Sequence, residues 1–383
     1  MIKINKTGII TFHNSYNCGS MLQAYALQHK LDELGVDNEI IDFANDGSRR
    51  LYSRNVPLCR KHIPRPRLMG PWLRAHLYNN LWKRHQEDFV HFKEKYLRTT
   101  AKEYTCNKQL IEEVFPYTHF VTGSDQVWNV CCWDADEAYF LNFVNNGKKI
   151  AYAVSLGAQS IVEKVDDVEK YKRYIKAFDY ISVREQIAKK LITELREKED
   201  VSIQIDPTLL YFKEDYERFF DLETPIVKGD YIFYYAFSYF DEVNKYVNEI
   251  SKRTGMPVYI MDAKAWAVSN VKKEGYKLSP NSGPLAFLNL MKHSKLSLTT
   301  SFHGTAFSVI FEKPFWYIDN SKHDAADDRA TSLMNQLGII DHFKKGYDIL
   351  QGDVMASLDY SVINKSRIQL RTSAIEFLIK CFE

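Results

Sequence analysis

The sequence predicts an α/β protein of two units, each a parallel sheet covered by helices on both faces, with a helix closing the C-terminus. Three observations carry this. Short β-rich runs alternate with helically spaced apolar residues through both halves of the chain. Several of those runs end in polar or glycine-containing turns, the usual place for ligands in such sheets. The 383 residues, 45% hydrophobic and 26% charged, are enough for two cores of ordinary composition.

Taken in order, Thr7 to Phe12 is β-rich and His13 to Ser20 is a polar loop. Leu22, Ala26, Leu27, Leu31 and Leu34 then recur at helical spacing, Gly35 closes the helix, and Asn38 to Phe43 makes the next strand. This β-loop-α-β opening marks Asn17 and Gly19 as candidates for binding an anion or a substrate. Cys18 sits where a helix N-terminus can lower a thiol pKa, but no partner base lies near it in sequence.

From Gly47 to Gln86 there are ten Lys or Arg residues and no Asp or Glu: Arg49, Arg50, Arg54, Arg60, Lys61, Arg65, Arg67, Arg74, Lys83 and Arg84. Prolines and the aromatics Tyr52, Trp72, Tyr78 and Trp82 are interleaved. We read 47–105 as a basic insertion, either solvated or drawn to an anionic surface, with acidic lipid the better fit. Nucleic acid is not expected, because no binding motif accompanies the charge.

Thr118 to Thr122 is a strand ending in Gly123-Ser124-Asp125-Gln126-Val127-Trp128-Asn129. That turn places a carboxylate and an amide at a strand end, and Trp128 offers a flat face for a sugar ring. Lys149 to Ser155 and Tyr180 to Val183 follow as strands, the second running into Arg184-Glu185 and a helix. Asp206-Pro207-Thr208 stops the next one. The division into units is set here, 1–206 and 207–383.

The second half repeats the rhythm with strands at Tyr231 to Phe237, Val258 to Met261, Lys295 to Leu298 and Phe315 to Ile318. Between the last two lies Thr299-Thr300-Ser301-Phe302-His303-Gly304-Thr305, a polar turn opening a helix. Helix N-termini attract anions, and a histidine there can serve as acid or base near neutral pH. A helix cap beside a satisfied histidine is the competing reading of that stretch alone. A polar loop with Lys322 and Arg329 comes next, and residues 361–382 have the spacing of an amphipathic helix.

Six cysteines in this length do not suggest a disulfide framework, and no metal-ligand spacing occurs. Neither a signal peptide nor an apolar run long enough to span a bilayer is visible. We therefore expect a cytoplasmic protein, with a peripheral station at the inner face of the plasma membrane as a further expectation.

Six fragments in order are together fairly specific: Asn17-Cys18-Gly19 with Leu22 to Leu27, Gly123 to Asn129, Ser182-Val183-Arg184-Glu185, Asp206 to Leu210, Ser301 to Thr305, and Lys313-Pro314-Phe315. By these, nearly end to end, the chain resembles the polysaccharide pyruvyl transferase family. The resemblance implies two Rossmann-like domains facing across a cleft, as in GT-B glycosyltransferases. It also implies transfer of a pyruvyl group from phosphoenolpyruvate, usually as a cyclic ketal, to a sugar of a bacterial capsule, exopolysaccharide or cell-wall saccharide, often lipid-linked. Phosphoenolpyruvate is then a co-substrate, and neither metal nor cofactor is expected.

Members carry a basic residue two places before the matching histidine, where this chain has Ser301, so either another cation holds the donor or the donor differs. His303 is assigned as general acid/base and Asp125 as the group accepting the hydroxyl proton. Ser301, Gly304, Thr305, Lys322, Arg329 and Arg184 are assigned to the donor; Asn17, Gly19, Gln23, Ser124 and Trp128 to the acceptor. A GT-B glycosyltransferase using a nucleotide sugar and a non-catalytic saccharide-binding protein are the alternatives.

Overall fold

The computed structural model describes residues 6–52, 66–319 and 328–383. Among the described residues twelve strands form two six-stranded sheets, and every strand pair in both is parallel. The first sheet comprises β1 (Thr7–Ile10), β2 (Asn38–Ile40), β3 (His119–Asp125), β4 (Lys148–Val154), β5 (Tyr180–Val183) and β6 (Val201–Ile203), in the order β2-β1-β3-β4-β5-β6. The second comprises β7 (Ile232–Tyr235), β8 (Val258–Ile260), β9 (Lys277–Leu278), β10 (Leu296–Thr299), β11 (Phe315–Ile318) and β12 (Phe343–Lys344), in the order β12-β11-β10-β7-β8-β9. All residues of β3 and β10 are buried, as central strands of a sheet covered on both faces require. The sequence missed the short edge strands β9 and β12, whose two residues each carry no usable periodicity.

Strand membership changes from the first sheet to the second between Ile203 and Ile232. The helix Tyr360–Phe382, expected to belong with the second unit, packs back on the first. Its Phe377 ring lies 6.2 Å from that of Tyr152, and Phe382 lies 5.2 Å from His119. It also ties down the connecting segment. Arg367, 1% exposed, donates to the Tyr211 carbonyl, and Arg371 Nε donates to Leu210 O at 2.7 Å.

The described part of the basic insertion is largely helix, Pro66–Leu77 and Asn79–Tyr96. The second of these buries Phe89 and Phe92 and reaches the other domain, where Asp88 Oδ2 accepts from the Ser282 amide at 2.8 Å. Arg74 Nε likewise donates to Val268 O at 3.0 Å, and Tyr78 and Trp266 meet edge to face. The insertion is therefore a bridge across the two domains rather than a wholly solvated excursion.

Candidate functional site

Two helices, one from each domain, meet at their first turns. Cys18–Glu33 follows β1, and Phe302–Ile310 follows β10. Asn17 caps the first, accepting from the Gly19 amide at 2.9 Å. The meeting depends on Gly19 having no side chain, because a Cβ there would lie 2.1 Å from His303 Cγ and Nδ1. Gly304 is excluded from substitution in the same way, by Thr299 Oγ1 at 2.0 Å from its would-be Cβ. Both N-termini bring first-turn amides and the positive ends of their dipoles to one place.

Around that place the strand ends of the first sheet supply charge. Arg184, at the end of β5 and 4% exposed, donates from Nη1 to Asp206 Oδ2 at 2.6 Å. Its Nη2 stands 3.6 Å from Asp125 Oδ1, its Nε 3.4 Å from Glu185 Oε1, and its guanidinium lies 4.3 Å from the Phe302 ring centre. Arg184 thus touches the second domain by a cation–π contact. His303, itself buried, has Nε2 3.6 Å from Asp206 Oδ2, too long for a hydrogen bond but close enough to feel its charge.

Asp206 is the hub of the cluster. Its Oδ1 accepts from the Thr208 amide and hydroxyl at 3.0 and 2.8 Å. Burial alone would push its carboxyl up. His303, Arg184 and the Thr208 amide outweigh that and hold it well below the usual carboxylate range. Glu185 shows the opposite balance: burial pushes its carboxyl up to about 7 despite the neighbouring Arg184. Neither Glu185 oxygen, nor His303 Nε2, nor Arg184 Nε and Nη2, has a hydrogen-bond partner among the described residues. Buried polar groups are rarely left so. Of these, the Arg184 and His303 nitrogens, beside two helix N-termini, are the donors suited to an anion, while the Glu185 oxygens can only accept unless protonated.

Several nominated residues are placed differently from expectation. Trp128 is 0% exposed, its ring stacked on Phe140 at 5.2 Å and its Nε1 donating to Tyr139 O at 3.0 Å. It is a core residue with no face open to a sugar. Gln23 is also fully buried: Nε2 donates to Thr11 Oγ1 and Ser20 O, and Oε1 accepts from the Ser124 amide. It holds the Gly123–Asp125 turn in place and does not face an acceptor.

Ser124 is buried with Oγ 2.6 Å from Ala153 O and 3.2 Å from Asp206 Oδ2, a brace for the hub. Thr305 is buried, its hydroxyl donating back to Ser301 O at 3.1 Å, so it is not offered to an anion. Asp125, at φ 71°, accepts from Ser20 Oγ at 2.5 Å and from the Gln126 amide.

Arg329 opens the helix Arg329–Leu337 and lies near enough to act electrostatically on Arg184 and Glu185. Lys322 lies outside the described residues. Cys18 is buried and its thiol is pushed well up by that burial, so it is not the poised thiolate its position suggested.

Sequence reasoning passed over Asp206 and Glu185 as site residues. The first read as a turn before proline and the second as the start of a helix; only the tertiary fold brings Asp206 to Arg184 and His303.

Beside this cluster a cavity of about 600 Å³ opens between the insertion helix Asn79–Tyr96 and the strand ends of the second sheet. Asn17, Cys18 and Ser301 form its wall towards the charged cluster.

Among the described residues no helix is long and apolar enough to cross a membrane, and no group of three or more His, Cys, Asp or Glu is arranged to hold a metal ion.

Comparison with solved structures gives the fold independently. UDP-GlcNAc 2-epimerase of Methanocaldococcus jannaschii, in complex with UDP-GlcNAc and UDP, aligns over 95% of this chain and 99% of its own, with TM-score 0.50 and 14% identity. MnaA of S. aureus with UDP aligns over 94% and 91%, with TM-score 0.51 and 11% identity. These likenesses establish a GT-B-like arrangement. Among curated proteins, none matches the sequence. The family model described as polysaccharide pyruvyl transferase matches residues 17–322, a span that begins at the Asn17 cap and contains His303, Arg184 and Asp206. The chain belongs to the polysaccharide pyruvyl transferase family.

Proposed function

We propose that the protein transfers a pyruvyl group from phosphoenolpyruvate to a sugar of a bacterial surface polysaccharide or its lipid-linked precursor, forming a cyclic ketal. One observation carries the reading: His303 stands between Gly19 and the ionised Asp206, where two helix N-termini and Arg184 converge. Ketal formation needs an acid for the methylene carbon, donors for a phosphate and a carboxylate, and a route for the hydroxyl protons.

In this scheme His303 protonates the methylene carbon, and Asp206 stabilises the imidazolium from which that proton comes. A sugar hydroxyl attacks the adjacent carbon, giving up its proton. Phosphate then leaves with the C–O bonding pair, and a second hydroxyl of the same sugar closes the ring. Two hydroxyl protons are released in all; one makes good the proton now in the methyl group and the other goes out with phosphate. Arg184, Arg329 and the first-turn amides hold the anionic groups, which meets the need for a cation that Ser301 leaves. Asp125, nearest to the Ser20 hydroxyl, is the group proposed to take the hydroxyl proton. Phosphoenolpyruvate is the co-substrate, and the scheme calls for no further cofactor.

Peripheral attachment to an anionic membrane fits a lipid-linked acceptor. Met69, Leu73 and Leu77, four residues apart and therefore on one side of the helix Pro66–Leu77, are 47%, 49% and 78% exposed. Such an apolar stripe within a basic segment suits a lipid interface.

The test is incubation with phosphoenolpyruvate and a panel of lipid-linked and free saccharides, with mass spectrometry for the added pyruvyl group and an assay for released phosphate. Pyruvylated product with stoichiometric phosphate is expected. Release of a nucleotide from a nucleotide sugar, with no pyruvylated product, would replace this reading by a glycosyltransferase.

A further inference from the structure

The sequence placed the acceptor on the first domain at Asn17, Gly19, Gln23, Ser124 and Trp128; the last three side chains are buried and committed to the scaffold, and Asn17 alone of the five lines the neighbouring cavity. Most of the grip on the sugar therefore has to come from other residues. The cavity of about 600 Å³ beside the charged cluster has room for one or two sugar rings. Its walls come from both domains and from the insertion, and Ser301, two residues before His303, belongs to it.

Its charged lining residues balance, Asp241 and Asp262 against Lys264 and Lys273, which suits a neutral polyhydroxyl ligand. Trp82 of the insertion helix and Phe237, just past β7, line it; Phe237 is 77% exposed, an aromatic ring at the mouth with nothing covering it. Flat apolar rings of this kind pack against the C–H faces of sugars. Deeper in, three buried polar atoms of lining residues have no hydrogen-bond partner among the described residues: Asn244 Oδ1, Tyr239 Oη and His85 Nδ1. Asn244 is 1% and His85 4% exposed, so solvent does not readily satisfy them. Burial also lowers the His85 pKa, keeping a neutral ring that can exchange hydrogen bonds with hydroxyls.

We propose that this cavity is the acceptor saccharide site, with Trp82 and Phe237 as ring platforms and Asn244, Tyr239 and His85 as hydroxyl partners. The acceptor is thus gripped by the insertion and the second domain, and presents its hydroxyls past Ser301 to His303. The inference rests on the pyruvyl-transfer reading for what happens next, but the binding itself does not depend on that reading.

The experiment uses the full chain and two variants, Phe237→Ala and Trp82→Ala. Phe237 is exposed, so its removal leaves the fold intact even where loss of Trp82 does not. Methyl glycosides of the common hexoses and N-acetylhexosamines are titrated by saturation-transfer NMR without phosphoenolpyruvate, then used as acceptors with it. The expected result is at least a tenfold weaker glycoside affinity in Phe237→Ala, and a matching rise in acceptor KM. Its KM for phosphoenolpyruvate should stay within twofold of wild type. Unchanged glycoside affinity and acceptor KM in Phe237→Ala, or the absence of glycoside binding to the wild type, overturns the cavity assignment. Wild-type pyruvylation together with an unaffected Phe237→Ala leaves the transferase reading standing and removes only the cavity. Glycoside binding that Phe237→Ala abolishes, with no pyruvyl transfer, removes the transferase reading and keeps the cavity.

Discussion

At the scale of single residues, Glu185 and Asp206 are two buried carboxyls beside one guanidinium, and their surroundings push them apart. Asp206 receives hydrogen bonds from Arg184 and Thr208, whereas Glu185 receives none from the described residues. The consequences for stability have opposite signs. Folding raises the Glu185 pKa from 4.5 to about 7. The folded state therefore holds that proton more tightly, and the stability contributed by this group is full below pH 4.5 and lost as pH rises through 7. Folding lowers the Asp206 pKa below its ordinary 3.8, so its contribution is present above that value and is lost only as pH falls further.

Asp134, whose carboxyl burial pushes up to about 6, and the histidines His29, His85, His119 and His342, whose pKa values burial lowers, also titrate near the range from pH 5 to 8, so the Glu185 effect is read as the difference between wild type and Glu185→Gln. Each pKa unit corresponds to about 1.4 kcal/mol, so the wild type should lose on the order of 2–3 kcal/mol from this group across that range. Glu185→Gln should remove the loss, and urea unfolding of both proteins at pH 5 and pH 8 measures it. Equal slopes in the two proteins would mean that Glu185 is ionised or solvated in the fold.

At the scale of elements, the site depends on two helix starts touching, and Gly19 is the contact. A methyl group there would lie within 2.1 Å of the His303 ring, so the ring or the helix has to move. Gly19→Ala should displace His303 from Asp206 and lower kcat about a hundredfold, the usual weight of a general acid/base. His303→Gln should give a similar loss. Overpacking at such a contact costs about 1–3 kcal/mol of stability. Donor affinity should persist, because Arg184 is untouched. Turnover of Gly19→Ala within a few-fold of wild type would show that His303 does not need its present position.

The same pair of helices shows what was legible in the sequence. Each is announced by a strand, a polar turn and an apolar repeat, so Asn17, Gly19 and His303 could be found without a structure. That Gly19 abuts His303, 284 positions apart in sequence, could not, because nothing local encodes a contact between domains. Trp128 misled for a related reason: an aromatic residue after a Gly-Ser-Asp turn looks the same whether its ring faces a cleft or, as here, Phe140. The insertion helices are hidden by charge and proline, and their apolar anchors Phe89 and Phe92 are informative only once Tyr16, Tyr25 and Phe220, the rings they meet, are in place.

At the scale of the whole molecule, the insertion both roofs the cavity and presents a surface outward. Its inward side is accounted for by contacts with the second domain through Asp88, Arg74 and Tyr78. Its outward side carries Met69, Leu73 and Leu77, exposed in a line, with Arg50 and Arg84 exposed elsewhere in the basic segment. Arg49 is a poorer lipid contact than the sequence implied, since it pairs with Glu103 at 2.8 Å.

Each basic side chain near an anionic surface contributes about 1 kcal/mol, and partial burial of three apolar side chains adds to that. Attachment should therefore be reversible and salt-sensitive. The protein should pellet with vesicles containing anionic lipid at low salt and less so at high salt, where the Debye length is short. Replacing Met69, Leu73 and Leu77 by Gln should weaken pelleting at every salt concentration, while neutralising Arg50 and Arg84 should reduce mainly the salt-sensitive part. Both variants should keep their activity on soluble acceptors, because none of these residues lines the cavity. If instead the segment grips the diphosphate of the acceptor, the arginine variant loses activity on soluble diphosphate-linked saccharides and the apolar variant does not. No lipid-dependent pelleting at low salt would leave the exposed stripe without a membrane role.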